Sequence, residues 1–235
     1  MVDVEDAPPI VYNIAVPAVP VFPGEQVTWF SNDAEKKLFV QTIDGLQWNG
    51  NNSAIMLAVA RARLSMPDSW QWLKSEMAAR LRPNGTITLN RRGNSINNAG
   101  HYTEQFAATL AVNELLIQSV EGIVRVFPAW PKEKSARFKH LRAVGGFLVS
   151  AEQAGGEVRQ VEVLSTVGGR LRLASPWPTA AVKRSDRAAP VPLKPDGRGI
   201  VEIETKAGER LAVREAELSM ADMPEFNGFE PLMKK

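Results

Sequence analysis

Apolar positions change their spacing once along this chain. Up to Ser119 they recur at helical intervals; beyond it they fall at every second residue. The first 24 residues are rich in Val and Pro (Pro8, Pro9, Pro17, Pro20, Pro23), which predicts an extended lead-in with no core of its own. Asn32, with Glu35 three residues on, is a capping pattern for a first helix; Leu38, Phe39 and Ile43 form its apolar side and Gly45 ends it. Asn51-Asn52-Ser53 then opens a second helix, Ala54 to Leu64, so apolar that it must be buried on most sides. Pro67-Asp68 opens a third, with Trp70, Leu73, Met77 and Leu81 on one face, stopped by Pro83-Asn84-Gly85. After a polar, Asn-rich loop from Asn90 to Gly100, Thr103 caps a fourth helix, Glu104 to Ser119, with Phe106, Leu110 and Leu116 or Ile117 as its stripe.

Past Ser119 the residues alternate. Val124 and Val126 flank Arg125. Leu171 and Leu173 alternate with Arg170 and Arg172, and Val201, Ile203 and Thr205 with Glu202 and Glu204. Phe147 to Val149, Val158 to Val163 and Leu211 to Val213 read as further strands, parted by turn signals at Gly155-Gly156, Gly168-Gly169 and Ala207-Gly208. Residues 185 to 199 read as a loop and the tail after Met220 as irregular. Helices first and strands second predict an α+β chain of two domains, 1–119 helical and 120–235 an antiparallel β-sandwich.

Charge and composition narrow the function. Lys and Arg number 28 against 26 Asp and Glu, so no electrostatic case for nucleic acid or an anionic membrane follows. Without cysteine there are no disulfides or thiolate metal sites, and two histidines, His101 and His140, make a poor basis for a metal site. No cofactor is expected: a glycine-rich phosphate loop in strand–loop–helix context and a Gly-x-Ser-x-Gly elbow are both missing. The acidic start, Met1 to Asp6, has no signal-peptide pattern.

Two polar clusters remain, each at a helix start. Asn97-Asn98-Ala99-Gly100-His101-Tyr102-Thr103-Glu104-Gln105 offers amides, an aromatic and a carboxylate to a sugar; its plainer reading is a helix cap. Trp48-Asn49-Gly50-Asn51-Asn52-Ser53 offers an indole face and amides, or simply a capped loop with a half-buried Trp. Trp70 and Trp72 read as core and helix-edge residues, Trp130 as a packing anchor and His140 as a surface residue.

The run Asn113-Glu114-Leu115-Leu116-Ile117-Gln118-Ser119, with Gly122 to Pro131, resembles the end of the catalytic barrel in glycoside hydrolase family 95, the α-L-fucosidase-like enzymes. Phe138 to Phe147, the hairpin Val149 to Val163 and Gly169-Arg170-Leu171-Arg172-Leu173 continue the likeness. Val21-Phe22-Pro23-Gly24-Glu25-Gln26-Val27 is similar to the family's Tyr-Pro-Gly loop. The resemblance implies the last helices of an incomplete (α/α)6 toroid followed by a C-terminal β-domain. It further implies glycosidic-bond hydrolysis by two carboxylates in a longer parent, of which this chain is a C-terminal part that is not catalytically complete alone. The family's catalytic aspartate falls at Thr103, leaving the adjacent Glu104 as the candidate catalytic carboxylate, with Asn51, Asn97, Asn98, His101 and Gln105 as candidate sugar contacts. The implied partners are an oligosaccharide or polysaccharide, and the rest of the enzyme or a second copy of the chain. The implied location is extracellular or periplasmic. The rival expectation is a non-enzymatic carbohydrate-binding or assembly module, marked by an exposed aromatic such as Trp177 or Trp130 on a sheet face.

Overall fold

The computed structural model describes residues 10–83, 85–87, 102–187 and 189–216. The chain divides into two compact units, Met1–Leu115 and Leu116–Lys235. The first holds α1 (Asp33–Gly45), α2 (Asn51–Arg63), α3 (Ser69–Arg80) and α4 (Tyr102–Leu116). Asn32 caps α1 as expected, its Oδ1 accepting the Glu35 N–H at 2.9 Å. α2 is buried nearly all round: Ala54, Leu57, Val59, Ala60 and Ala62 are each at most 1 % exposed.

Three expectations for this unit need correction. The proline-rich lead-in does have a core. A 3-10 turn, Val16–Ala18, carries Pro17 in its first turn, where a missing N–H costs nothing, and Ala15, Ala18 and Val21 are buried against Phe39, Ile43 and Leu57. On α3 the buried face is Ser69, Leu73, Glu76 and Arg80, while Leu81 lies exposed past the helix end. That face is largely polar because an ion pair fills it, so an apolar stripe alone misplaces it. On α4, Ala111, Glu114 and Leu115 are buried, whereas Phe106 is 76 % exposed and Leu110 half-exposed. Thr103 lies inside the first turn, and the helix stops at Leu116. Ile117 and Val120, β-branched, pair with Val126 and Ile123 instead.

The described residues of the second unit hold ten strands: β1 (Ile117–Val120), β2 (Ile123–Val126), β3 (Ala136–Ala143), β4 (Phe147–Ala154), β5 (Glu157–Ser165), β6 (Gly169–Ala174), β7 (Ala180–Arg184), β8 (Val191–Leu193), β9 (Ile200–Thr205) and β10 (Arg210–Glu215). They form a four-stranded sheet, β1-β2-β6-β9, and a six-stranded sheet, β3-β4-β5-β10-β7-β8. One core cluster draws on both: Val124, Leu171, Leu173 and Ile203 from the first, Val149, Val161, Val163, Leu211 and Val213 from the second. This is the α+β architecture and the β-sandwich that the alternation predicts. Each large apolar side chain taken fully out of water contributes about 1.5–3 kcal/mol. The exposed Arg170–Glu204 and Arg172–Glu202 pairs on β6 and β9 are screened by solvent and add little.

Two details differ from the expectation. The pair β2/β6 is parallel, with Ile123 opposite Arg172 and Val124 opposite Leu173; three strands of the other sheet lie between them in sequence, supplying the long connection a parallel pair requires. Residues 185–199 are not all loop, since β8 pairs with β7 along the sheet edge. Pro192 is tolerated there because an edge strand has one side on which no N–H is needed. At the β4–β5 turn, Gly155 (φ 63°) and Gly156 (φ 83°) supply the two positive φ values of a tight hairpin. His140 is half-buried rather than a surface residue: it sits at a bulge in β3 with φ 58°, its N–H donating to Ser150 Oγ at 3.1 Å.

Candidate functional site

The loop from Leu46 to Gly50 is tied down by backbone pairing. Tyr12 N–H donates to Gln47 O at 2.9 Å, Asn49 N–H donates to Tyr12 O at 3.0 Å, and Ser53 Oγ donates to Asn13 O at 2.8 Å. Gly50 permits this approach, because a Cβ there would lie 2.0 Å from Asn13 Oδ1 and 2.1 Å from Asn13 O. The pairing fixes Trp48 opposite one face of α3. Between them lies a cavity of about 920 Å³ whose walls include Trp48, Asn49, Trp72, Ser75, Glu76 and Arg80.

The aromatic and charged groups of this cavity are interlocked. The Trp48 and Trp72 rings are 6.0 Å apart and tilted by 45°. The Arg80 guanidinium lies 5.2 Å from the Trp48 ring centre, and that of Arg61 lies 5.3 Å from Trp72. Glu76 and Arg80, 4 % and 2 % exposed, form an ion pair one helical turn apart, and Arg80 Nη1 also donates to Glu76 O at 3.2 Å. Arg61 is itself held by Asp44 at 2.7 Å and Asp68 at 2.5 Å. Indole faces, an amide and fixed charges can hold a sugar ring. Glu76 is the one carboxylate among the described residues that line the cavity, so the wall supplies no acid–base pair by itself.

A second polar cluster lies deeper in the same unit. Arg63 Nη2 and Nε donate to Glu114 Oε1 and Oε2 at 3.1 and 3.3 Å, Nη1 reaches Glu25 Oε1 at 3.2 Å, and the guanidinium stands 4.9 Å from the Phe22 ring centre. Burial pushes the Glu114 carboxyl above its ordinary value, against the opposing pull of Arg63. One arginine thus ties α4 to α2 and to the Val21–Glu25 loop.

Among the sequence candidates, Asn51 is the first residue of α2, beside Gly50; Glu104 and Gln105 lie in the first turn of α4, and the side chains of all three are outside the described residues. Asn97, Asn98 and His101 also lie outside them. Trp48 and Asn49, from the second polar cluster, do line a cavity. Trp72, expected at a helix edge, joins them there. Glu76 and Arg80 were missed, although their i, i+4 spacing on a helix was a visible sign of pairing. Trp177, offered as an exposed aromatic, is 7 % exposed. No group of three His, Asp or Glu among the described residues could hold a metal ion, and no helix among them is long and apolar enough to cross a membrane.

No curated protein matches the chain. Among solved structures it is similar to the catalytic domain of GH30 xylanase C from Talaromyces cellulolyticus. That match has 13 % identity and a TM-score of 0.25 and covers 42 % of this chain, which spans about a quarter (26 %) of the other. A likeness so loose carries no argument. Residues 118–213 match the family described as glycoside hydrolase family 95, C-terminal domain. These residues run from β1 into β10, through both sheets of the sandwich. Over these residues, less than half of the chain, it is similar to the C-terminal domain of glycoside hydrolase family 95.

Proposed function

We propose that this chain is the C-terminal part of an α-L-fucosidase-like enzyme that hydrolyses O-glycosyl bonds in its full-length form. On this reading α1 to α4 are the last helices of an (α/α)6 toroid and residues from about Ser119 onward its C-terminal domain. Glu104 serves as a catalytic carboxylate, and Asn51, Asn97, Asn98, His101 and Gln105 contact the sugar. The substrate is an oligosaccharide or polysaccharide. The observation that carries the reading is the family match over residues 118–213, which follows α1 to α4 in the chain.

The helical unit supports incompleteness of the chain by itself. Phe106 and Leu110 stand one turn apart on α4 and are 76 % and 37 % exposed. Large exposed apolar side chains on one helix face mark a surface meant for a neighbour, and in a toroid each helix is covered by the next. The rest of the enzyme, or a second copy of the chain, would supply that cover.

Two assays test the reading. The purified chain, shown to be folded, is offered α-L-fucosides, α-L-galactosides and plant-type oligosaccharides. No sugar release is expected, and release that Glu104→Gln abolishes would overturn the incompleteness. In a full-length enzyme carrying this C-terminal part, Glu104→Gln is expected to lower kcat by about 100-fold or more with little change in KM. An unchanged kcat would remove Glu104 from the mechanism.

A further inference from the structure

The β unit has a cleft of its own, with a volume of about 430 Å³. Aromatic and proline side chains form its walls, chiefly Trp130 and Trp177 with Pro128 and Pro176. Its rim is charged with both signs: Lys132, Glu157, Arg159 and Glu215. Glu157 and Arg159 pair at 3.1 Å across an exposed strand end.

Both walls are held rigid by hydrogen bonds. Trp130 Nε1–H donates to Lys134 O at 3.1 Å and Trp177 Nε1–H donates to Val158 O at 3.0 Å. Gln153, 4 % exposed, donates its amide to both Pro131 O (3.0 Å) and Lys134 O (3.1 Å), fixing the turn that carries Lys132. On the far side Ser175 Oγ donates to Trp177 O at 2.7 Å and accepts from Trp177 N–H at 3.2 Å. Trp177 is almost wholly buried and acts as wall; Trp130 is half-buried.

We propose that this cleft is a carbohydrate-binding subsite, separate from the helical unit, that takes a short stretch of neutral glycan stacked on Trp130. A sugar ring has an apolar C–H face for the indole and hydroxyls at its edge that both donate and accept. A rim of carboxylates beside lysine and arginine answers both halves of each hydroxyl. A proline-rich peptide would use the same aromatic walls, but its carbonyls only accept, whereas the hydroxyls of a glycan can also donate to the rim carboxylates Glu157 and Glu215. The cleft falls within the 300–1,000 Å³ or so common to small-ligand sites. Because its walls are set before the ligand arrives, little ordering cost is left to binding. The choice of glycan rests on the glycoside-hydrolase reading above, whereas the site itself rests on the geometry of the β unit.

The test is titration of the full chain with 2′-fucosyllactose, cellotetraose and xylotetraose, followed by calorimetry and by tryptophan fluorescence. Saturable binding of at least one is expected. Trp130→Ala should weaken it about tenfold or more, the loss of one stacking contact, while Trp130→Phe, which keeps a ring, retains most of it. Arg159→Ala, at an exposed position, guards against a Trp130→Ala chain that fails to fold and is expected to weaken binding as well. Three results would overturn the proposal: no binding of any of the three by folded protein, binding that Trp130→Ala leaves unchanged, or loss on Trp72→Ala in its place. Preference for a proline-rich peptide would overturn it too. Turnover is read separately. Glycan binding that depends on Trp130 and survives Glu104→Gln stands even if no glycoside is ever hydrolysed, and failure at Trp130 leaves the hydrolase reading untouched.

Discussion

Arg63 of α2 donates to both carboxylate oxygens of Glu114 on α4, at 3.1 and 3.3 Å, with both side chains 10 % exposed. Fifty-one residues of chain separate the two, and no local rule brings them together. The pair anchors α4, whose first turn holds the candidate catalytic Glu104. It reaches the Val21–Glu25 loop through the same guanidinium.

Glu114 should make the stability of the helical unit depend on pH. Burial raises its carboxyl above the ordinary 4.5, more than Arg63 lowers it. For a group whose folded value is raised, the favourable contribution is complete below the unfolded value and is lost as pH rises through the folded one. Denaturation of the wild type and Glu114→Gln over a pH series is the check. From 4.5 upward the difference should move in favour of Gln, which cannot ionise; a flat difference, or one moving toward the wild type, refutes the assignment.

Gly50 lets the loop that carries Trp48 approach Asn13 closely. Gly50→Ala would place a methyl 2.1 Å from Asn13 O, so the loop must withdraw. A loss of about 1–3 kcal/mol is expected, the usual cost of forcing an extra carbon into a packed contact, together with a changed Trp48 environment in fluorescence. Unaltered stability and emission would mean that the close approach is not a constraint.

In the β unit Glu209 holds the β9–β10 turn. Its Oε1 accepts from Arg184 Nε at 2.7 Å; its Oε2 accepts from Arg184 Nη2 at 3.0 Å and from Lys206 N–H at 2.9 Å. Glu209 is 5 % exposed, so Glu209→Ala takes this acceptor from Lys206 N–H and from Arg184, which keeps its bond to Glu204 O, and should cost about 2–4 kcal/mol. Arg184→Met with Glu209→Leu should cost less than Glu209→Ala, since no charge is then left without its partner. Equal losses in chemical denaturation would argue against the pair acting as a unit.

Much of the secondary structure was legible because it is set by neighbours a few residues away. The Asn32 cap, the buried helix from Ala54 to Leu64, and the alternation of Leu171 and Leu173 with arginines all follow from spacing, and all stand in the structure. Where spacing misled, an unread partner had intervened, local in one case and farther along the chain in the others. The α3 face is buried around the i, i+4 pair Glu76–Arg80, not around Met77 and Leu81. Ile117 leaves the helix because Val126 offers it a ladder. β8 exists because β7 needs an edge neighbour, and the proline-rich lead-in is buried because Phe39, Ile43 and Leu57 cover it.

The sequence by itself determined the order of helices before strands, the composition that removes thiolate chemistry, and the motif run from Asn113 to Phe147 that points to the family. Those are properties of adjacent residues and of residue type. Tertiary structure alone decided which sheets the strands join, that β2 and β6 run parallel, and which side chains meet around a cavity. Trp48 with Trp72, Arg63 with Glu114, and Trp130 with Trp177 across the β-unit cleft are pairs far apart in the chain. Their meeting is fixed by packing and register, which no spacing along a single sequence encodes.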